Sequence, residues 1–159
     1  MSMQEKLSRL GLSLPAPIVV PPNVAISFEW VRISGNRAYL SGHSALNPDG
    51  TLYPLFGKVG KEVSYEDAYQ FARQTALAML STLQEAIGDL DRITAWVAAN
   101  GYVNALPGEV KTTYVMNGFS DLILELFGQE IGRHARTAIG VESLPMNLPL
   151  VISAQVDFQ

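Results

Sequence analysis

Ala68, Phe71, Ala72, Met79, Leu80, Leu83 and Ile87 recur at helical spacing and draw one apolar face along a predicted helix from about Tyr65 to Ile87. Ser64 with Asp67 gives a start resembling a capping box, Glu66 suits the positive end of the helix dipole, and Gly88 stops the helix. A one-faced helix of this length is stable only when a second layer covers that face, so the chain must build one. The face itself reads as core rather than as a cofactor box.

The flanking segments supply the second layer. Residues 2–11 read as a short amphipathic helix with Leu7 and Leu10 three apart and Gly11 as the stop. Pro15, Pro17, Pro21 and Pro22 then impose an extended lead-in. Ala25 to Ile33 is rich in strand formers, Ser34-Gly35-Asn36 is a turn signal, and Arg37 to Ser41 is the returning strand. Asn47-Pro48-Asp49-Gly50 marks another turn before a loop carrying Tyr53, Pro54 and Phe56. Beyond the long helix come a strand at Ile93 to Ala99, a loop opened by Pro107-Gly108, and a second helix from about Asn117 to Gly128. Strands near 135–142 and 149–158 follow, separated by Leu144-Pro145. The order ββαβαββ, without repeats, predicts one α+β domain over residues 1–159: a two-layer sandwich with both long helices on one face of a mixed sheet.

Composition narrows the function classes. The chain has 159 residues, of which 48% are hydrophobic and 16% charged, with a net charge of −4. So apolar a surface for one domain suggests a subunit interface. No run of Lys or Arg supplies the basic stripe that nucleic-acid binding uses. Without cysteine there is no disulfide, thiolate nucleophile or Cys-based metal site. No apolar run reaches the length of a membrane span and MSMQEKLSRLG carries no signal-peptide core, so a cytoplasmic location is expected.

One residue stands out chemically. From Ala135 to Val156 the only charges are Arg136 and Glu142. A guanidinium among apolar strand residues needs an anionic partner, which either the fold or a ligand carboxylate supplies. The remaining constellations are weak. His43 and His134 lack ligand spacing to a second His or Cys. Gly57-Lys58-Val59-Gly60 is too short to cradle phosphates, and Ser41 lies outside a GxSxG elbow. Glu125 and Glu130 read as solvated helix surface.

Taken in order, Gly35-Asn36, Arg37-Ala38-Tyr39-Leu40-Ser41-Gly42, helix 65–87, strand 93–99, Asn117, His134-Ala135-Arg136-Thr137, Leu144-Pro145 and strand 149–158 resemble the RidA/YjgF reactive intermediate deaminase family. That family is also known as endoribonuclease L-PSP. Asn117-Gly118-Phe119-Ser120-Asp121-Leu122, with Glu125, Phe127 and Gly128, is similar to its longer-chain branch. The resemblance implies a chorismate-mutase-like fold, a homotrimer with clefts between subunits, and no metal or organic cofactor. It also implies hydrolysis of 2-imino or enamine acids to 2-oxo acids and ammonia. Arg136 would grip the substrate carboxylate, with Ser41, Phe28 and Asn117 lining the same cleft.

Three departures accompany it. Deaminating members place a glutamate on the last strand to position the attacking water; aligned from Leu144-Pro145, that position is Val151, which transfers no proton. His43 replaces the usual glutamine, and Phe28 lacks the hydroxyl of the usual tyrosine. Glu142, Glu29, His43 and His134 are the other groups able to move a proton. The expectation is therefore an imine deaminase with altered acid–base chemistry, or alternatively a non-catalytic trimer binding a small carboxylate. An endoribonuclease fits less well with the acidic, charge-poor composition.

Overall fold

The computed structural model describes residues 1–159. Its elements are helix α1 (Met3–Arg9), strands β1 (Val31–Ser34) and β2 (Arg37–His43), helix α2 (Tyr65–Ile87), strand β3 (Ile93–Asn104), helix α3 (Thr112–Gly132), and strands β4 (Ala135–Val141) and β5 (Leu150–Phe158). The sheet runs in the order β1-β2-β5-β3-β4. Every neighbouring pair is antiparallel except β3 and β4, and α3 makes the crossover that a parallel pair requires.

Both long helices cover one face of the sheet. Phe71, Met79, Leu80 and Leu83 of α2 join Phe119, Leu122, Ile123 and Leu126 of α3 in a single core with Trp96 of β3. Trp96 is buried with Phe119 and Phe127 edge-on to its ring, each at 5.7 Å. The two helices meet closely at Gly118, where a Cβ would lie 1.9 Å from the Tyr69 carbonyl oxygen, so no larger residue fits without moving a helix.

The opposite face carries no layer. Alternation in β5 sends Leu150, Ile152, Ala154 and Val156 into the core and leaves Val151, Ser153 and Gln155 half-buried on the other side. Val151, Tyr102 and Ile139 fall in one row across that bare face by strand register. No helix is long and apolar enough to cross a membrane.

Several expected boundaries shift. Of the predicted strand Ala25–Ile33, only the end from Val31 is paired, because Val31 meets Leu40 and the Gly35-Asn36 turn closes the hairpin at Ser34–Arg37. Strand β3 runs on to Asn104, sustained by ladders to β5 and β4 on its two sides. Helix α3 begins at Thr112, so Asn117 lies inside it rather than at its start. Gly128, the expected stop, is instead a kink at φ 73°, after which the helix resumes to Gly132. The Ser64 hydroxyl accepts from the Asp67 amide at 3.0 Å as expected of an N-cap.

Candidate functional site

Arg136 pairs in register with Ala99, which pairs with Ala154, and both alanines are buried on the helix side. Its side chain therefore leaves the edge strand β4 toward α3. Nη1 donates to Asn117 Oδ1 at 2.8 Å and to Ser120 Oγ at 3.1 Å, while Nη2 makes a long 3.4 Å contact with the Thr113 carbonyl. All three acceptors are neutral. The chain's ion pairs are Arg37–Asp157, Lys61–Glu62 and Arg73–Glu125, so the half-buried Arg136 has no carboxylate partner. Burial pushes its pKa down from the ordinary value, and the nearby Asp121 carboxylate pulls in the other direction. Asp121 instead receives the Tyr69 hydroxyl at 2.7 Å. That hydrogen bond, with burial, raises the Tyr69 pKa to about 12.

The fold thus leaves open the question that Arg136 posed in the sequence. It supplies hydrogen-bond acceptors but no counter-charge. The Nε–H has no acceptor on the chain and Nη2 has only the long Thr113 contact, and this Nε–Nη2 edge is the side-on fork that suits a carboxylate.

The other sequence-named residues gather elsewhere. Ser41 Oγ donates to the Glu29 carbonyl at 2.6 Å, and its amide bonds the Trp30 carbonyl at 3.0 Å, so the 28–30 segment lies against Ser41. Phe28 is exposed and packs edge-on to Trp30 at 5.1 Å. A Cβ on Gly42 would approach Val151 Cγ1 to 2.5 Å, which places Val151 against the same strand turn. Phe28, Ser41 and Val151 thus form one patch beside the β2 bulge between Leu40 and His43. Arg136 and Asn117 form a second cluster on the far edge of the sheet. Strands β2 and β4 are three strand spacings apart, about 14 Å. Val151 also faces the bare side of the sheet while Arg136 faces the helices. A single chain brings Arg136 and Asn117 together and holds the other three apart from them.

His43 is removed from the proton-transfer candidates. It is buried, with Nδ1 2.6 Å from the Ser41 carbonyl and Nε2 2.9 Å from Thr82 Oγ1. Burial pushes its pKa down to about 4, so the ring is neutral near pH 7 and donates from Nδ1 to the carbonyl. It braces the bulge that carries Ser41. His134 lies in the Arg136 cluster, with Nε2 2.9 Å from Ser120 Oγ and Nδ1 2.8 Å from the Gly132 carbonyl. Ser120 and His134 are the cluster members that the sequence did not identify as a pair. Their link is a tertiary contact across the α3–β4 turn, signalled only by their shared nearness to Arg136.

A concavity of about 490 Å³ lies at the carboxyl ends of β3 and β4, lined by Lys58, Glu109 and Glu142 among others. Its lysine is fully engaged with Asn104 Oδ1 at 3.0 Å and with the carbonyls of Ala105 and Glu142. Both Glu109 oxygens are likewise engaged, Oε2 by the Tyr65 hydroxyl and Oε1 by the amides of Val110 and Lys111. These are clamps between loops. No group of three or more His, Asp or Glu side chains stands close enough together to hold a metal ion.

The family model described as "YjgF/chorismate mutase-like, putative endoribonuclease" matches residues 5–155. The chain belongs to this RidA/YjgF family. The Trypanosoma cruzi protein TCP17 is 38% identical over 151 residues, covering 95% of this chain and 91% of that protein. Among solved structures, the Agrobacterium tumefaciens protein Atu1372, of unknown function, superposes with a TM-score of 0.86 at 33% identity, covering 99% of this chain and 94% of that one. E. coli TdcF, solved with bound serine, shares the fold at a TM-score of 0.57 and 16% identity, covering 91% and 94% of the two chains.

Proposed function

We propose that this RidA/YjgF protein hydrolyses 2-imino or enamine acids to 2-oxo acids and ammonia in a cleft between subunits of a homotrimer. The observation that carries the reading is Arg136: a half-buried guanidinium held by Asn117 and Ser120, without a carboxylate, and with its Nε–Nη2 edge free apart from the long Thr113 contact. Such a group is complementary to the carboxylate of a small acid. The serine bound to TdcF, itself a small α-amino acid, is consistent with that ligand class.

The division of the candidate residues supports an oligomeric cleft. The Arg136–Asn117 cluster lies at the β4 edge and the Phe28–Ser41–Val151 patch lies on another part of the surface. Docking the first onto the second of a neighbouring copy is a heterologous contact, and repeated around an axis it closes a ring. The bare sheet face, with Tyr39 and Ile139 exposed, gives that ring apolar surface to bury.

In the reaction, water adds to the C=N carbon of the bound imino acid. The carbinolamine then collapses to the C=O group and releases ammonia. Arg136 fixes the carboxylate, so the imine carbon is presented to water in one geometry. Val151 moves no proton. Of the remaining acidic candidates, Glu29 belongs to the Ser41 patch, since its own carbonyl receives the Ser41 hydroxyl. Glu142 lies at the loop clamp around Lys58.

Val151 also favours a second reading, a trimer that binds a small carboxylate without turnover. Ammonia release from imines generated in situ by an amino-acid oxidase separates the two. The deaminase reading predicts acceleration by wild type that disappears in Arg136→Ala. No acceleration over background, with carboxylate binding intact, selects the binder.

A further inference from the structure

Arg136 is not a freely swinging side chain. Ser120 Oγ accepts from its Nη1 at 3.1 Å, and the same hydroxyl stands 2.9 Å from His134 Nε2. His134 Nδ1 is 2.8 Å from the Gly132 carbonyl, which can only accept, so Nδ1 carries the proton and Nε2 is an acceptor. The Ser120 hydrogen is therefore committed to His134, and a Ser120 lone pair is turned toward Arg136. Phe119 packs edge-on to the imidazole at 5.6 Å and holds the ring in place. Asn117 Oδ1 takes the second hydrogen of Nη1. Asn117 and Ser120 are three residues apart on α3 and so share one helix face.

This arrangement decides which edge of the guanidinium is spent and which is left open. Both Nη1 hydrogens go to the protein, and the Nε–Nη2 edge is free apart from the long contact to Thr113. Asp121, an acid on α3 whose field reaches Arg136, has its carboxylate engaged by the Tyr69 hydroxyl.

We propose that Ser120 and His134 are positioning residues for the anchor. His134, as its Nδ1–H tautomer, orients the Ser120 hydroxyl, and Ser120 in turn aims the Nε–Nη2 edge of Arg136 at the ligand carboxylate. The proposal rests on the reading of Arg136 as a carboxylate anchor. Neither residue touches the ligand in this account. The neutral Ser120–His134 hydrogen bond, whose loss His134→Asn reads, is worth up to about tenfold in affinity.

Two measurements test it together. The first needs no ligand: side-chain ¹⁵N spectra of the Arg136 guanidinium in wild type, Ser120→Ala, His134→Asn and His134→Gln. Asparagine keeps a donor for the Gly132 carbonyl but offers nothing to Ser120, whereas glutamine can place its amide oxygen near the Nε2 position. Separate Nη signals from hindered rotation are expected in wild type and His134→Gln, and averaged signals in Ser120→Ala and His134→Asn. The second is calorimetric binding of 2-oxobutanoate, expected to weaken by up to about tenfold in His134→Asn and to recover in His134→Gln. Identical Arg136 spectra in wild type and His134→Asn would overturn the proposal, as would weakening in His134→Asn that glutamine fails to relieve. If wild type binds no 2-oxobutanoate while its guanidinium spectrum still responds to His134→Asn, the brace stands and the ligand reading falls.

Discussion

Replacing His43 with glutamine should flatten the acid side of the stability profile. In the folded protein the imidazole is buried, both nitrogens are engaged with Ser41 and Thr82, and burial lowers its pKa from 6.5 to about 4. In the unfolded chain the same ring protonates near its ordinary value. Between those two values the unfolded state binds the extra proton, so stability falls as pH falls through that window and is unaffected above it. With these two values, moving from pH 7 to pH 5 removes about 2 kcal/mol through His43 alone. Glutamine can bond the same two partners but has no proton to gain. Urea unfolding of wild type and His43→Gln at fixed protein concentration, at both pH values, gives the comparison. Wild type should lose about 2 kcal/mol more than the variant on acidification. Equal losses would mean that the ring protonates in place and is not a neutral brace for the Ser41 bulge.

Three further outcomes follow from the packing and the site. Gly118→Ala places a methyl group 1.9 Å from the Tyr69 carbonyl, and the helices must separate; a loss of about 3 kcal/mol or more is expected by thermal or urea unfolding. Asn117→Leu removes the closest acceptor of the charged Arg136 guanidinium, and 2-oxobutanoate affinity should drop by about tenfold or more with the fold intact by circular dichroism. Val151→Glu returns a carboxylate to the patch beside Ser41 and should raise ammonia release from imino acids above wild type; its approach to Gly42 calls for a parallel stability measurement.

The parts of the fold that could be read from sequence are those fixed by local chemistry. Helix α2 begins after the Ser64 hydroxyl cap and ends at Gly88, which takes φ 83°. Strand β4 was legible as apolar residues interrupted by one arginine. The misplaced boundaries are set by partners distant in sequence. The Ala25–Trp30 stretch has strand-forming residues but lies beyond the hairpin register, so it has no ladder to join. Conversely, the strand expected to end at Ala99 stays extended through Asn100 and Gly101 to Asn104 because β5 and β4 pair with it from both sides.

The candidate site follows the same division. Arg136 stood out because a charge in an apolar strand demands a partner, and Asn117 does meet it at 2.8 Å. Ser120 and His134 carry no distinctive spacing, and only the turn between α3 and β4 brings them together. His43 is a proton-transfer candidate by residue type alone; its burial and two hydrogen bonds, which depend on the fold, close that role. The separation of Phe28, Ser41 and Val151 from Arg136 depends on strand order, in which β5 and β3 intervene between β2 and β4. Sequence spacing holds no information about that order.

The most direct test of the account is calorimetric titration of wild type and Arg136→Ala with 2-oxobutanoate at neutral pH. Both functional readings require the open Nε–Nη2 fork to hold a carboxylate. A charge-assisted pair of hydrogen bonds predicts saturable binding by wild type and a loss of about 100-fold in Arg136→Ala. Equal binding by the two proteins, or none by wild type, would contradict the claim that Arg136 is the anchor.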